Sequence, residues 1–427
     1  MVSVNYVFIG DDFTGASDTL ATLARAGRRV RLFLAPPDPG AIAKENLDAI
    51  GFATEFRALA PDAIAAGLDA LAPVLKVLSP RILHYKVCST FDSSPDIGSI
   101  GRAVSVLEHH LAPALVAVVG GQPSLGRYCA FGNLFARGPH GQVHRIDRHP
   151  VMRNHPVTPM TEADLRHHLA KQGLEDLRLI ALPVIKAAPT ALAAHLEDLM
   201  RAGERHILFD ACSQAHLATI GSALVHFGND GRPLLVIGAS SVAEALTAGE
   251  APRVAQSSTS RKKGKDGPCL VIAGSRSEIT AAQVRAALGF KRMPIRPMDL
   301  SHETIRQRFI AHCVEALAAG DNVLAHLVPD EDYGLNGADL ARKLANLAAA
   351  ILDRQAVRAL GIAGGDTSSI LVRRLGFSSL AFENQLDDGV AICTARSADP
   401  QRDGTRLMLK GGQVGSETVF DRFMTTT

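Results

Sequence analysis

Short, almost unbroken apolar runs, each handing over to an amphipathic stretch, recur along this chain: 4–10 (VNYVFIG), 30–34 (VRLFL), 82–87 (ILHYKV), 114–120 (ALVAVVG), 178–184 (RLIALPV), 206–211 (HILFDA) and 234–239 (LLVIGA). A strand that is apolar on both faces has no solvent side, so it belongs in a parallel sheet covered by helices above and below. The intervening SDTLATLARAG, residues 97–111 and APTALAAHLEDLMRAG carry the helical period that this covering needs. Residues 251–267 (APRVAQSSTSRKKGKDG) lose all periodicity and read as an exposed linker. The alternation restarts with PCLVIAGS (268–275), helix SEITAAQVRAALG, a helix over about 303–319, strand NVLAHLV and a helix within 337–354. RALGIAGGD (358–366), helix SSILVRRLG and strands AICTA and RLMLKGG (406–412) follow. The pattern predicts an α/β protein: two α/β domains with mainly parallel sheets and a cleft between them, 1–250 and 268–427, joined by the linker 251–267.

At 427 residues, 47% hydrophobic and 21% charged, the chain can bury a large core in two or three domains. Lys+Arg 45 against Asp+Glu 43 leaves +2, so no global field favours nucleic acid, and the absence of Trp with only 5% aromatic residues disfavours base-stacking platforms. The six cysteines, Cys88, Cys129, Cys212, Cys269, Cys313 and Cys393, form no C-x-x-C or C-x-x-H unit, which excludes zinc ribbons and redox dithiols. The opening MVSVNYVFIGDDFTG lacks the basic and small-residue features of a secretory signal. The uncharged run 109–126 is broken by Pro113 and Gly120-Gly121, against a spanning helix. The expectation is a cytoplasmic protein with reduced thiols that meets small molecules rather than nucleic acid or membrane; a homo-oligomer is compatible with the sequence.

Chemistry-bearing residues gather where strands end. Gly10-Asp11-Asp12-Phe13-Thr14-Gly15-Ala16-Ser17-Asp18 leaves the first strand and opens a helix, the edge at which open α/β sheets bind ligands. Two adjacent carboxylates there can take hydrogen bonds from a polyol or hold a cation, although a turn with an N-cap needs only one of them. Lys86-Val87-Cys88-Ser89-Thr90-Phe91-Asp92 leaves another strand. Lys86 offers charge to an anion and Ser89, Thr90 and Asp92 offer partners to hydroxyls, or the last three simply make a turn. Arg127 and the stretch 145–161, which includes His155, read as a Pro-broken loop suited to a carboxylate or phosphate. The histidines at 140, 144, 149 and 155 match no common metal spacing. Thr161-Glu162-Ala163-Asp164 reads as a helix start with Thr161 as its cap.

In the second half, Gly364-Gly365-Asp366-Thr367 joins a strand to a helix, where paired glycines and the helix N-terminus can cradle a phosphate. Gly274-Ser275-Arg276-Ser277 and Lys410-Gly411-Gly412 are supporting loops. Neither the G-x-x-x-x-G-K-[ST] nor the G-x-G-x-x-G pattern stands at a strand–helix junction, so Walker and dinucleotide readings lack their fingerprint. A carboxylate–lysine site in one domain and a phosphate cradle in the other suit phosphoryl transfer from ATP to a small hydroxylated acid, with Mg2+ bridging the phosphates. A non-catalytic sugar-acid sensor, or a metal-dependent hydrolase or dehydrogenase using the histidines, stay open at this point.

Taken together, Asp11 to Ala16, Lys86 to Asp92 with Gly98-Ser99-Ile100-Gly101, Gly126-Arg127, His155-Pro156 to Met160, Gly274-Ser275, Gly364 to Thr367 and Lys410 to Gly412 resemble the four-carbon acid sugar kinases nearly end to end. The resemblance implies a sugar-acid-binding N-terminal domain and a nucleotide-binding C-terminal domain, with ATP-dependent phosphorylation of a terminal hydroxyl. Ser89-Thr90-Phe91-Asp92-Ser93 is similar to the 3-oxo-tetronate 4-kinase branch rather than the threonate branch, with a D-threonate or D-erythronate kinase kept as an alternative. Leu125-Gly126-Arg127-Tyr128-Cys129-Ala130 and Ser99 depart from that branch, which leaves a branched acid such as 3-oxo-isoapionate as an alternative substrate. The implied substrate residues are Asp11, Asp12, Lys86, Ser89, Thr90, Asp92, Arg127 and His155. The implied nucleotide residues are Ser275, Gly364, Gly365, Asp366, Thr367, Lys410, Gly411 and Gly412, with Asp12 and Asp366 as the catalytic candidates.

Overall fold

The computed structural model describes residues 4–37, 42, 45–138, 141–186, 188–227, 231–249, 267–387 and 389–426, of Asp366 only the backbone. The linker expected at 251–267 lies, but for its last residue, outside the described residues. The strands of the first half are β1 (Tyr6–Gly10), β2 (Val30–Phe33), β3 (Ala49–Ala53), β4 (Ile82–Lys86), β5 (Leu115–Val119), β6 (Arg127–Ala130), β7 (Asn133–Arg137), β8 (Val143–Arg145), β9 (Arg178–Ile180), β10 (His206–Phe209) and β11 (Leu234–Gly238). Those of the second half are β12 (Cys269–Ala273), β13 (Lys291–Ile295), β14 (Val323–Leu327), β15 (Ala359–Ala363), β16 (Phe377–Asp387), β17 (Val390–Ser397) and β18 (Arg406–Lys410). The chain divides into one compact unit of Met1–Val30 with Pro36–Gln256 and another of Arg31–Ala35 with Ser257–Thr427.

In the first unit the strands run β3-β1-β4-β11-β5-β10-β9, parallel throughout, as two-sided apolar runs require. Helix Phe13–Arg25 packs with Ser241–Thr247, and Pro61–Leu78 packs with Ile100–Leu111. From β1 the chain goes outward to β3, and from β4 it goes the other way to β5. The carboxyl ends of Gly10 and Lys86, partners in register, therefore flank the point where the winding reverses.

Three features of this unit differ from expectation. The run 178–184 is strand only over Arg178–Ile180; Leu182–Ile185 is a helical turn with Pro near its start, and Asp210 Oδ2 accepts from Leu182 N at 3.2 Å. The helix Leu165–Ala170 is capped by Asp164 rather than Thr161. Arg127 and Arg145, expected in a loop, are the first and last residues of an antiparallel sheet β6-β7-β8. Phe131 and Gly132, at φ 51° and 80°, make its two-residue first turn. Fully buried Asp210 pins that turn by accepting from Phe131 N at 2.6 Å and Gly132 N at 2.9 Å.

In the second unit the order is β13-β14-β12-β15-β18-β17-β16-β2. It is parallel up to β18 and antiparallel from β18 through β17 and β16 to β2, so the segment Arg31–Ala35 supplies the last strand of this unit. Cys269, Val271 and Ala273 pack with Val284, Phe420 and Phe423 on one face. Helix Gly337–Leu352 packs with Gly365–Arg374. Here too the winding reverses between neighbouring strands: β12 leads toward β13 and β14, β15 toward β18.

Candidate active site

At the β1–β4 reversal point four charged side chains meet. Asp11 N donates to Lys86 O at 2.9 Å, locking the end of β1 to the end of β4. Asp12 caps the helix Phe13–Arg25, its Oδ1 accepting from Gly15 N at 3.0 Å. Arg57, on the short 3-10 turn Phe56–Ala58 beyond β3, forks onto Asp11 with bonds of 3.1 Å to Oδ2 and 2.7 Å to Oδ1, and reaches Asp12 Oδ1 at 2.8 Å. Lys86 Nζ stands 3.5 Å from the same Asp12 oxygen. Gly15 makes this possible: a Cβ there would lie 1.5 Å from Lys86 Nζ, so any side chain would displace the ammonium.

All these contacts on Asp12 fall on Oδ1, and among the described residues Oδ2 is left for a ligand hydroxyl. Burial works against ionisation of Asp12, but Lys86 and Arg57 with the Gly15 N–H outweigh it and hold the carboxyl below its usual range. Burial pushes Asp11 up, opposed by the Arg57 fork. Asp12 is therefore the ionised acceptor of the pair, and Asp11 orients Arg57.

The β4 exit continues the site. Thr90 Oγ1 donates to Asp92 Oδ1 at 2.5 Å and lies 2.9 Å from Cys88 Sγ. Burial raises the Cys88 thiol to about 11, with Asp92 adding to the rise and Arg57 and Lys86 opposing it. This places Cys88 between the two groups as an inert neutral neighbour. Ser89 is half-buried. Arg127, at the start of β6, donates from Nη1 to Leu125 O at 2.7 Å; its Nε is buried without a partner. No carboxylate among the described residues pairs with Arg127, and burial lowers its pKa. The turn before it is fixed by Glu244, whose Oε1 accepts from Gln122 Nε2 at 3.1 Å and Ser124 Oγ at 2.7 Å. His155 bonds within its own turn, accepting at Nδ1 from Thr158 N at 3.0 Å. His149 Nδ1 accepts from Val151 N and Met152 N, which leaves that nitrogen no lone pair for a metal, and His140 lies outside the described residues.

At the β12–β15 reversal point of the second unit the loops interlock. Gly274 N and Ser275 N donate to Ala363 O at 2.8 and 3.1 Å, and Gly364 N donates to Lys410 O at 3.0 Å. Gly364, at φ 130°, begins the helix Gly365–Arg374, which no side chain caps. Thr367 is buried, its Oγ1 only 2.2 Å from where a Cβ on Gly274 would stand. Gly412 is likewise closed to a side chain, because a Cβ would lie 2.3 Å from Ser275 Oγ, whereas at Gly411 only Val414 comes near, at 3.7 Å.

Lys410 ends β18 beside this cradle and is 3% exposed. Its Nζ donates to Thr280 Oγ1 at 3.3 Å and sits 5.9 Å from the Phe420 ring centroid. No carboxylate among the described residues pairs with it, and burial lowers its pKa to about 8. A buried cation beside an uncapped helix N-terminus is the chemistry of a phosphate site.

Of the residues expected from sequence, Asp11, Asp12 and Lys86 come into one constellation, Thr90 and Asp92 into a second next to it, and Ser275, Gly364, Thr367, Lys410 and Gly412 into a third. Arg57, Glu244, Asp210 and Thr280 escaped the sequence reading. Arg57 follows β3, a strand the reading did not recognise; with β3 in place, an arginine just past its carboxyl end would have stood out.

The sequence matches two family descriptions, a sugar-binding N-terminal domain over residues 6–246 and a nucleotide-binding C-terminal domain over 270–420. It is 34% identical to a 3-oxo-isoapionate kinase of Paraburkholderia graminis, over 97% of this chain and 92% of that protein. It is 32% identical to a 3-oxo-tetronate kinase of Cupriavidus necator, over 97% and 95%. A crystal structure of a Haemophilus influenzae protein shares the fold, with a TM-score of 0.76 at 24% identity over 97% of this chain and 98% of that one.

Proposed function

The chain belongs to the four-carbon acid sugar kinases, proteins that join a sugar-binding N-terminal domain to a nucleotide-binding C-terminal domain, and from that premise we propose that it transfers the γ-phosphoryl group of ATP to the terminal hydroxyl of a 3-oxo-tetronate. It is a sugar-acid kinase. The observation that carries the nucleotide half is Lys410, a buried ammonium with no carboxylate partner among the described residues, at the end of β18 beside the uncapped helix that starts at Gly365.

Phosphoryl transfer asks the protein mainly for positioning and charge. In this reading Asp12 Oδ2 accepts a hydrogen bond from a substrate hydroxyl and Lys86 holds the acid side. Ser89, Thr90, Asp92 and His155 complete the hydroxyl contacts, and Arg127, which has no carboxylate partner among the described residues, takes the substrate carboxylate. Gly364, Gly365, Thr367, Ser275, Gly411 and Gly412 bring backbone and hydroxyl groups to the phosphates, and Lys410 supplies the charge. Among the described residues no three His, Cys, Asp or Glu side chains gather into a metal cage. Magnesium carried on the nucleotide phosphates needs only one or two carboxylates, and when bound it neutralises charge on the transferring phosphoryl oxygens. We assign Asp366, at the helix start, either to that ion or to the general base, with Asp12 as the substrate orienter.

A second reading, 3-oxo-isoapionate as substrate, is favoured by the 34% identity to that kinase and by the departures at 125–130. The other departure, Ser99, is explained locally: it caps the helix Ile100–Leu111 by accepting from Arg102 N at 3.2 Å. ADP release measured over a panel of 3-oxo-tetronates, 3-oxo-isoapionate, D-threonate and D-erythronate tests the function. One of the oxo-acids is expected to exceed the threonate and erythronate in kcat/KM by about tenfold or more. ADP release no faster than the acid-free background for every compound refutes the kinase reading.

A further inference from the structure

The turn after β4 is built around a residue type that resists it. Phe91 has a φ of 53° and is 1% exposed. A bulky residue enters this left-handed region only when its surroundings over-determine it, whereas glycine would do so freely. The surroundings are a buried polar set. Phe91 N donates to Cys88 O at 3.0 Å, and Phe91 O accepts from Ser93 Oγ at 2.9 Å and faces His168 Nε2 at 3.0 Å. A carbonyl oxygen only accepts, so that contact is a hydrogen bond when Nε2 carries the hydrogen. Burial lowers the pKa of His168 and favours the neutral ring; Ser93 Oγ and Gln172 Nε2 also lie 3.0 and 3.2 Å from Nε2, and the Phe91 carbonyl, which only accepts, selects the tautomer with its hydrogen there. Gln172 ties the set to the next helix: its Nε2 donates to Ser93 Oγ at 2.8 Å, and its Oε1 accepts from Ile100 N at 2.8 Å. Gly101 leaves room for this approach, since a Cβ there would stand 2.2 Å from Gln172 O. Ser93, His168 and Gln172 are all buried, and none takes a place in the phosphoryl-transfer chemistry described above.

Phe91 lies between Thr90 and Asp92, whose side chains are joined across it at 2.5 Å. We propose that His168, backed by Ser93 and Gln172, is a positioning residue for the sugar acid: it holds Phe91 in its left-handed conformation and thereby sets the direction of the Thr90–Asp92 pair. The inference rests on the reading of residues 86–92 as the sugar-acid side. A hydroxyl and a carboxylate presented from a flexible turn would lose orientation each time the turn relaxed, and a network of three side chains beneath it prevents that.

Steady-state kinetics of His168→Leu, His168→Gln and Ser93→Ala, paired with amide hydrogen exchange over 88–94, test it. In His168→Leu the sugar-acid KM is expected to rise about tenfold or more while the ATP KM stays within about twofold. His168→Gln, whose amide can donate to the Phe91 carbonyl, is expected to return to within about threefold of wild type. A role in packing alone would lower thermal stability and leave the sugar-acid KM unmoved. Ser93→Ala removes one donor and little bulk; its expected rise is about threefold, and it carries the kinetic test if His168→Leu does not fold. Exchange over 88–94 is expected to quicken in His168→Leu and Ser93→Ala and to stay unchanged over 6–10. A sugar-acid KM unchanged in folded His168→Leu or Ser93→Ala, or unchanged exchange over 88–94 in them, overturns the proposal. A wild-type chain inert toward every sugar acid, with exchange over 88–94 quickened in the variants, contradicts the kinase reading while upholding His168 as the residue that fixes this turn.

Discussion

Lys410 shows how one side chain can carry a functional argument. Its burial lowers its pKa to about 8, so in the free protein it loses its charge as the pH rises through that value. A bound phosphate stabilises the ammonium and raises its pKa in the complex, so nucleotide binding takes up a proton near pH 8. The affinity for ATP is then full below about pH 8 and falls above it, by at most about tenfold per pH unit. Titration calorimetry of ATP at pH 7 and 9 in two buffers of different ionisation enthalpy checks the sign. Proton uptake at the higher pH is expected in wild type and absent in Lys410→Met, which should bind ATP about ten- to a hundredfold more weakly, the cost of a lost charged hydrogen bond of roughly 1.5–3 kcal/mol. An affinity in Lys410→Met equal to wild type would remove Lys410 from the phosphate site. At this scale the sequence was informative wherever a residue stood at the end of a recognised strand, as Asp12, Lys86 and Lys410 do. It was silent on Arg57 and His168, because their roles depend on partners 45 and 77 positions away, Asp12 and Phe91.

β4 is the element on which the first unit turns. His84 is fully buried in it; Gly238 O, which only accepts, lies 3.0 Å from Nε2, so Nε2 donates there and Nδ1 accepts from the Tyr6 hydroxyl at 2.8 Å. Burial lowers the His84 pKa to about 3. The unfolded imidazole titrates near 6.5, so on acidification the unfolded chain takes the proton first. The stability tied to neutral His84 is therefore complete above about pH 6.5 and declines toward pH 3 by about 1.4 kcal/mol per pH unit. Urea unfolding at pH 7 and 5.5 is expected to show a shallower loss for Tyr6→Phe/His84→Leu than for wild type, and equal losses would show that His84 is not held neutral. Element types were legible where apolar runs were long and bounded. They were missed at β3, a short run centred on Gly51, where a Cβ would meet the Phe8 ring at 2.1 Å. The run 178–184 misled for the opposite reason: Pro183 and the Asp210 cap turn its second half into helix despite an apolar composition.

Over the whole molecule, two α/β units each place their chemistry where the winding of a sheet reverses, β1–β4 in one and β12–β15 in the other. The alternation of apolar runs and helices pointed to two α/β units with chemistry at strand ends, but not to the strand order that makes those ends reversal points. Nor did it single out the segment Arg31–Ala35 as part of the second unit's sheet, because nothing local distinguishes VRLFL from the runs that stay in the first unit. The central claim is a division of labour: the first unit holds the sugar acid through Asp12 and Lys86, and the second holds ATP through Gly364 and Lys410. It is tested most directly by titrating both ligands, each alone, into Lys86→Met and Gly364→Val by calorimetry, with folding of each variant verified by circular dichroism. Lys86→Met is expected to bind ATP with wild-type affinity and to lose the sugar acid by about a hundredfold, and Gly364→Val to show the reverse. Loss of both ligands in either folded variant, or an exchange of the two patterns, would contradict it.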